Sequence, residues 1–205
     1  MASTRLLVAG IGNIFLADDA FGPEVISALR EDPLPAAVEV RDFGIRGLDL
    51  AYQLLDGYDA VVFVDAAARG HRPGTLSLVD PELPDASRAA PEAHGMDPVK
   101  VLALAARLAE GPLPRIVLLA CEPEHLPEDD TELVGGLSAP VCRAVAAAVP
   151  LLHTVVRQLL ADPAAPLALG RPEESAEHGP AGPPGNAPAS DEDHRNRPYA
   201  SKEHT

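Results

Sequence analysis

The stretch RLLVAGIGNIFLADDAFGPEVISALRED (residues 5–32) decides the fold of this chain. Its apolar start, RLLVAG (5–10), predicts a buried strand, and AFGPEVISALRED (20–32) carries apolar residues at helical spacing. A strand that turns through glycines into a helix is the unit from which α/β sheets are built. Two adjacent acids, Asp18 and Asp19, stand at the entrance of the predicted helix.

The same alternation of strand and helix continues to about residue 161. Further strands are predicted at 36–44, 58–67, 74–82 and 114–124, and further helices at 47–57, 97–111 and 138–161 with a kink at Pro150. The run YDAVVFVDAA (58–67) is nearly all apolar, which indicates a central strand. Only about eight residues separate it from the next strand, and a parallel crossover needs about a dozen, so the strand at 74–82 is predicted to be antiparallel.

Length and composition indicate one α/β domain over residues 1–161, followed by a tail. Aromatic residues make up 3% of the chain and tryptophan is absent, so the core must be aliphatic. Residues 162–205 are rich in proline and glycine and lack apolar periodicity, so we expect this tail to be disordered.

The formal net charge of -15 argues against a nucleic acid or an anionic membrane surface as partner, because either requires a basic patch. The N-terminus reads as neither a signal peptide nor a spanning helix, so we expect a cytoplasmic protein. Cys121 and Cys142 form no metal-binding or redox motif and lie among apolar residues. We therefore predict two buried free thiols, as in a reducing compartment.

Polar side chains gather where the predicted strands end, and ligands of open α/β sheets bind beyond the carboxyl ends of the strands. These residues are Asn13, Asp18, Asp19, Asp42, Asp65 and Glu122, with His94 in the loop before a helix. Carboxylates with one imidazole are typical ligands of a borderline divalent metal ion. Each residue also has an ordinary alternative: one of the paired aspartates could cap the helix, Glu122 could form a salt bridge, and His94 could be a loop histidine.

Two other chemistries fit the sequence poorly. The glycines of GIGNIF lack the third glycine of a dinucleotide-binding loop, because Phe15 occupies that place, and the aspartate pair would repel a pyrophosphate. A serine nucleophile lacks its context, since there is no GxSxG motif, and the sequence does not assign a base to Cys121, whose nearest histidine is His125.

Five blocks of the sequence together resemble one known family, the [NiFe]-hydrogenase maturation endopeptidases. The blocks are GIGNIFLADDAFGPEVISAL, DFGIRGLDL, DAVVFVDAAARGHRPGTL, AHGMDPVKVLALA, and ACEPE followed by GLSAPV. The resemblance covers roughly residues 5–160, the whole predicted domain. It implies an α/β/α sandwich on a five-stranded mixed sheet with one antiparallel strand.

The resemblance also implies a function. Members of the family remove a C-terminal extension from the precursor of the hydrogenase large subunit once nickel has been inserted. Two acids and one histidine are thought to contact the nickel carried by the substrate, and these fall on Asp19, Asp65 and His94. Asp42 matches a further acid linked to cleavage. The enzyme is then expected to hold no tightly bound metal of its own and to act as a monomer on the precursor.

Two alternatives to this function remain open from the sequence. One is a hydrolase with its own bound zinc, which would contain about one metal ion per chain. The other is a nickel checkpoint or chaperone that binds the large subunit without cutting it.

Overall fold

Five strands form one mixed sheet in the order β2-β1-β3-β5-β4 in the computed structural model of the chain, which describes residues 4–81, 98–127 and 133–167. The strands are β1 (Leu6–Ile11), β2 (Val38–Gly44), β3 (Ala60–Ala66), β4 (Leu76–Val79) and β5 (Arg115–Cys121). The helices are a short 3₁₀ helix (Ala17–Ala20), α1 (Phe21–Ala28), α2 (Gly47–Gln53), α3 (Pro98–Leu108) and α4 (Ala139–Ala161).

The sheet is parallel except at one edge. Strand β1 runs parallel to β2 and β3, and β3 runs parallel to β5. Strand β4 runs antiparallel to β5, with Leu76 opposite Cys121 and Val79 opposite Leu118. The short connection from β3 to β4 therefore predicted the direction of β4 correctly. The central position of β3 is also confirmed, and its residues from Ala60 to Asp65 are all buried.

Helices cover both faces of the sheet, which confirms the predicted three-layer α/β/α architecture. Successive residues of a strand point to opposite faces, so β3 contributes to two separate cores. Val62 and Val64 pack with residues of α1 and α4, whereas Val61 and Phe63 pack with residues of α2 and α3. Both cores are mainly aliphatic, as the composition predicted.

The first two predicted helices are shorter than the sequence indicated. The helix predicted over 20–32 is α1, which begins at Phe21, directly after the 3₁₀ helix, and ends at Ala28. The amide N–H groups of Arg30 and Glu31 bond to carbonyls three residues earlier, which is a tightened last turn before Pro33. Helix α2 likewise ends at Gln53 in a tightened turn, rather than at Gly57.

Helix α4 agrees closely with its predicted bounds and contains Pro150 in its interior, on the exposed side. Within the described part of the chain, α4 is the one helix whose length and apolar composition would allow it to cross a membrane. Its inner face, which includes Ala148, Leu152 and Val156, is packed into the core on the α1 side of the sheet. A kink at Pro150 remains a prediction.

The described residues lie within one compact unit that spans Met1–Leu169. Residues 162–167 follow α4 and contact this unit: Arg115 donates hydrogen bonds to the carbonyl oxygens of Pro163 (2.9 Å) and Ala165. Leu167 packs against the core. The predicted disorder of the tail falls, from residue 168 onward, outside the described residues, and the boundary at 161/162 stays a prediction.

Candidate active site

A glycine turn folds the 3₁₀ helix back onto the end of β1. Gly12 has φ +131°, a backbone conformation that favours glycine, and a Cβ atom there would overlap the carbonyl oxygen of Asp19. The Gly12 amide also donates to the carbonyl of Gly44 at the end of β2 (3.1 Å). The turn therefore places the two aspartates directly beyond the carboxyl ends of β1 and β2.

Asp19 and Asp65 line the same cavity. Asp19 is half-buried, and its Oδ2 accepts a hydrogen bond from the amide N–H of Asn13 (2.6 Å). Asp65 is buried near the carboxyl end of β3. The cavity measures about 320 Å³, and its other lining residues are Phe63, Ala66, Ala67, Pro81, Pro98, Val99, Leu102 and Leu118. It therefore has an acidic end and an apolar body.

Asp18, in contrast, is fully buried and serves the structure. Its Oδ2 accepts the amide N–H groups of Glu124 (2.8 Å) and His125 (2.9 Å), and its Oδ1 accepts that of Ser138 (2.7 Å). Burial acts to raise the pKa of this carboxyl, but the hydrogen bonds from Ser138, His125 and Glu124 hold it below its usual value.

The sequence alternative in which one of the paired aspartates caps the following helix does not describe Asp18. No side chain caps the 3₁₀ helix or α1. Asp18 instead binds the residue that precedes α4, together with the loop after β5. Three backbone N–H groups satisfy its charge better than a single cap could. The sequence offered no direct signal for these partners, because they lie more than 100 residues away.

Asp42 does not line the cavity that contains Asp19 and Asp65. Its side chain is exposed, and its Oδ1 accepts the amide N–H of Gly44 (2.8 Å) within a turn. It lines a separate, open groove together with Arg46 and Tyr52. The structure therefore brings Asp19 and Asp65 to one cavity and leaves Asp42 outside it.

Glu122 organises the connection between β3 and β4. Its carboxylate accepts the amide N–H groups of Arg69 (2.8 Å) and Gly70 (3.1 Å). Burial acts to raise the pKa of Glu122, but the backbone donors of Arg69, His71 and Gly70 lower it on balance. The sequence left two alternatives for Glu122, a salt bridge or a place in the site. Its partners here are backbone amides, and it does not line the cavity that contains Asp19 and Asp65.

The two cysteines differ in their surroundings. Cys121 is buried, as predicted, and burial together with the charges of Asp18 and Glu122 raises the pKa of its thiol to about 12. Cys142 is exposed, so the prediction that it is buried is wrong. It lies on α4 between the positions that face the core, such as Val141 and Ala144, and points away from them.

His94 lies in residues 82–97, outside the described residues. The flanking prolines, Pro81 and Pro98, both line the cavity that contains Asp19 and Asp65. Among the described residues, no three His, Cys, Asp or Glu side chains are grouped closely enough to hold a metal ion.

The family model, the related sequences and the solved structures that match this chain all belong to the same kind of protein. A family model described as hydrogenase maturation protease matches residues 23–155. The hydrogenase expression/formation protein HupD of Rhizobium leguminosarum bv. viciae is 34% identical over 156 residues, which are 75% of this chain and 74% of that protein.

Solved structures agree with this match. The hydrogenase maturating endopeptidase HybD from E. coli superposes with a TM-score of 0.59 at 28% identity, over 76% of this chain and 93% of that one. A hydrogenase 2 maturation peptidase from a Thaumarchaeota archaeon superposes with a TM-score of 0.54 at 35% identity, over 73% and 96%.

Proposed function

Since the chain belongs to the hydrogenase maturation protease family and is an endopeptidase of that kind, we propose that it removes the C-terminal extension from the precursor of a [NiFe]-hydrogenase large subunit. In this proposal the nickel is part of the substrate, and Asp19, Asp65 and His94 contact it. The enzyme acts as a monomer in the cytoplasm, on the precursor alone, and needs neither a nucleic acid nor a membrane.

The observation that carries the proposal is the shared cavity of Asp19 and Asp65. Two carboxylates, one from the 3₁₀ helix after β1 and one from β3, line the same cavity beside an apolar wall. Oxygen ligands combined with one imidazole suit a borderline divalent ion such as Ni²⁺. The apolar wall formed by Phe63, Leu102 and Leu118 can receive the chain that carries the ion.

The position of His94 in the chain supports its inclusion. His94 precedes Pro98 by four residues, so their Cα atoms are at most about 14 Å apart. Pro98 lines the cavity, and so does Pro81 at the other end of the same segment. A connection of this length allows the proposal to include the imidazole with the two carboxylates.

Recognition of the nickel would make cleavage conditional on metal insertion. A precursor without nickel offers Asp19, Asp65 and His94 no ion to coordinate, so it binds less tightly than the nickel-loaded precursor. Nickel polarises the scissile region when it is present, and a carboxylate near it can take the proton of the attacking water.

Cys121 is unsuited as a nucleophile, because a thiol pKa of about 12 keeps it protonated at neutral pH.

The test is to mix nickel-loaded precursor with Asp19→Asn, Asp65→Asn and His94→Gln variants and to follow the loss of precursor mass by mass spectrometry. We expect each variant to process the precursor at least about 100-fold more slowly than the parent, because each loses one ligand to the ion. The Glu110→Gln variant is the matched control, since Glu110 is exposed at the far end of α3.

Three results would contradict the proposal. Processing of the precursor at full rate by all three ligand variants would remove their assigned role. About one tightly bound zinc ion per purified chain would favour the zinc hydrolase. A stable complex with nickel-loaded precursor that never loses mass would favour the checkpoint.

A further inference from the structure

Four large apolar side chains are exposed side by side in two loops at the carboxyl edge of the sheet. Ile14 and Phe15, in the loop after β1, are 53% and 57% exposed, and Leu133 and Val134, before α4, are 73% and 40% exposed. We refer to these four residues as the apolar ridge. Clustered apolar surface of this kind marks interaction sites far more often than isolated exposed side chains do.

The two halves of the apolar ridge are fixed to each other by backbone hydrogen bonds. The amide of Val134 donates to the carbonyl of Phe15 (3.0 Å), and the amide of Ala17 donates to the carbonyl of Val134 (2.6 Å). These bonds form a short parallel bridge between Leu16 and Val134. Asp18 binds the backbone on both sides of the second loop, at His125 and Ser138. The ridge is thus preformed, so binding there costs little ordering entropy.

The apolar ridge is also continuous with the candidate active site. Asn13 donates its amide N–H to the carboxylate of Asp19 (2.6 Å), and its side-chain oxygen accepts the amide N–H of Phe15 (3.0 Å). One residue therefore connects the ridge to a proposed nickel contact. A protein that placed a metal ion beside Asp19 would bring its neighbouring surface against Ile14 and Phe15.

The acidic charge of this chain indicates which residues a docking partner would carry. Glu124 is exposed in the loop that Asp18 binds, and residues 128–132, which precede Leu133 in the sequence, read EDDTE. The chain as a whole carries a formal net charge of -15. Apolar surface on a chain of this acidic character is complementary to an apolar segment flanked by basic residues.

We propose that the apolar ridge is the docking surface for the large-subunit precursor and that it receives an apolar segment flanked by Lys or Arg next to the nickel-bearing region. This inference rests on the proposed function for the identity of the partner. It assigns binding to Ile14, Phe15, Leu133 and Val134 and leaves the chemical step to the cavity. The ridge then contributes equally to the ground state and the transition state, so it affects KM and not kcat.

The test measures both binding and cleavage of nickel-loaded precursor by the full-length chain. Phe15→Ser and Leu133→Ser are each expected to raise KM and the Kd of the complex about tenfold, with kcat within about twofold of the parent, because each removes apolar area buried on docking. The control is Leu108→Ser, an exposed leucine at the end of α3 away from the cavity, which should change neither constant. Circular dichroism spectra check that all three variants fold.

The outcomes separate the two proposals. If the parent binds the precursor without cutting it and Phe15→Ser weakens binding, the docking surface stands and the protease function fails. If the parent cuts and both ridge variants match Leu108→Ser in KM, the docking surface is wrong.

Two further measurements test the partner. A parent that sediments as a dimer and a Phe15→Ser variant that sediments as a monomer would assign the ridge to a second copy of the chain and overturn the proposal. A KM that does not rise when salt is raised from about 0.05 to 0.3 M would overturn the basic character of the partner.

Discussion

Asp18 and Asp19 are adjacent in sequence, yet they have different partners. In a 3₁₀ helix, successive side chains point about 120° apart, so two neighbouring residues cannot face the same cavity. Asp19 faces the cavity with Asp65, whereas Asp18 faces inward to three backbone amides. The acidic pair is therefore one structural carboxylate and one candidate functional carboxylate.

Replacing Asp18 by Asn should destabilise the fold. The Asn amide group would face the N–H groups of Ser138 or of Glu124 and His125, so a buried NH₂ group would oppose backbone donors that lose their acceptor. We expect the free energy of unfolding in urea to fall by about 2–3 kcal/mol. The exposed Glu31→Gln substitution is the control and should change it by less than about 0.5 kcal/mol. Equal stability of the two variants would contradict the role assigned to Asp18.

The contribution of Asp18 should depend on pH in a defined direction. Its pKa in the folded state is lowered, so the unfolded chain binds the proton more readily. The stabilisation is therefore complete at neutral pH and is lost as the pH falls below about 4 and through the folded pKa. The stability difference between the parent and Asp18→Asn should shrink in urea titrations from pH 7 to pH 3. A constant difference over this range would show that the charge is not involved.

The two thiols should differ in reactivity in the native protein. Cys142 is exposed, whereas Cys121 is buried with a pKa raised to about 12. A thiol reagent such as DTNB should modify one cysteine per chain rapidly and the second only after unfolding. The Cys142→Ser variant should show no rapid phase. Rapid modification of both thiols in the native parent would contradict the burial of Cys121.

At the scale of elements, the close approach of α1 to the sheet decides where the 3₁₀ helix and its aspartates lie. Gly22 is in the first turn of α1, and a Cβ atom there would overlap the carbonyl oxygens of Ile11 and Val64. The backbones of β1 and β3 thus pack directly against the first turn of α1. Gly22 follows Asp19 by three residues, so any displacement of α1 also moves Asp19.

Gly22→Ala should therefore affect stability and processing together. We expect a loss of about 3 kcal/mol in unfolding free energy, because the backbone of α1 must move to admit the methyl group. Processing of the precursor should also slow, since Asp19 moves with α1. Ser27→Ala, on the exposed side of the same helix, is the control and should change neither quantity appreciably. A Gly22→Ala variant as stable as the parent would contradict this packing.

The elements were predictable where local patterns decide them. Apolar runs identified all five strands, and a connection too short for a crossover gave the direction of β4. The ends of α1 and α2 were not predictable, because tightened turns at Arg30 and Asp56 depend on backbone hydrogen bonds and not on apolar spacing. The exposure of Cys142 was missed because an apolar neighbourhood in sequence does not say which side of a helix a residue occupies.

At the scale of the molecule, the rule that ligands bind at the carboxyl ends of strands predicts one edge of the sheet as the site, but it does not separate the cavities at that edge. Asp65 on the central strand and Asp19 after β1 meet, because β1 and β3 are neighbours. Asp42 lies near the carboxyl end of β2, at the edge of the sheet, and lines a different groove. Strand order, which depends on long-range packing, makes this distinction, and the sequence pattern alone does not contain it.

Truncation experiments can locate the end of the folded unit. A chain that ends at Leu167 should unfold at the temperature of the parent and process precursor normally. A chain that ends at Ala161 loses the carbonyl partners of Arg115 and the packing of Leu167, and should be less stable by about 2 kcal/mol. Thermal unfolding followed by circular dichroism distinguishes the two. Equal melting temperatures for both truncations would mean that residues 162–167 contribute nothing.

The three partners of Asp18 have a consequence for how the protein is made. They lie 106, 107 and 120 positions later in the chain. During synthesis the first strand and the 3₁₀ helix emerge long before Ser138, so the Asp18 carboxylate remains in water until most of the domain has been translated. Contacts this distant in sequence also slow folding, because the intervening loop must close before they form. The hydrogen bonds that hold Asp18, the neighbour of Asp19, therefore form only after most of the domain has been synthesised.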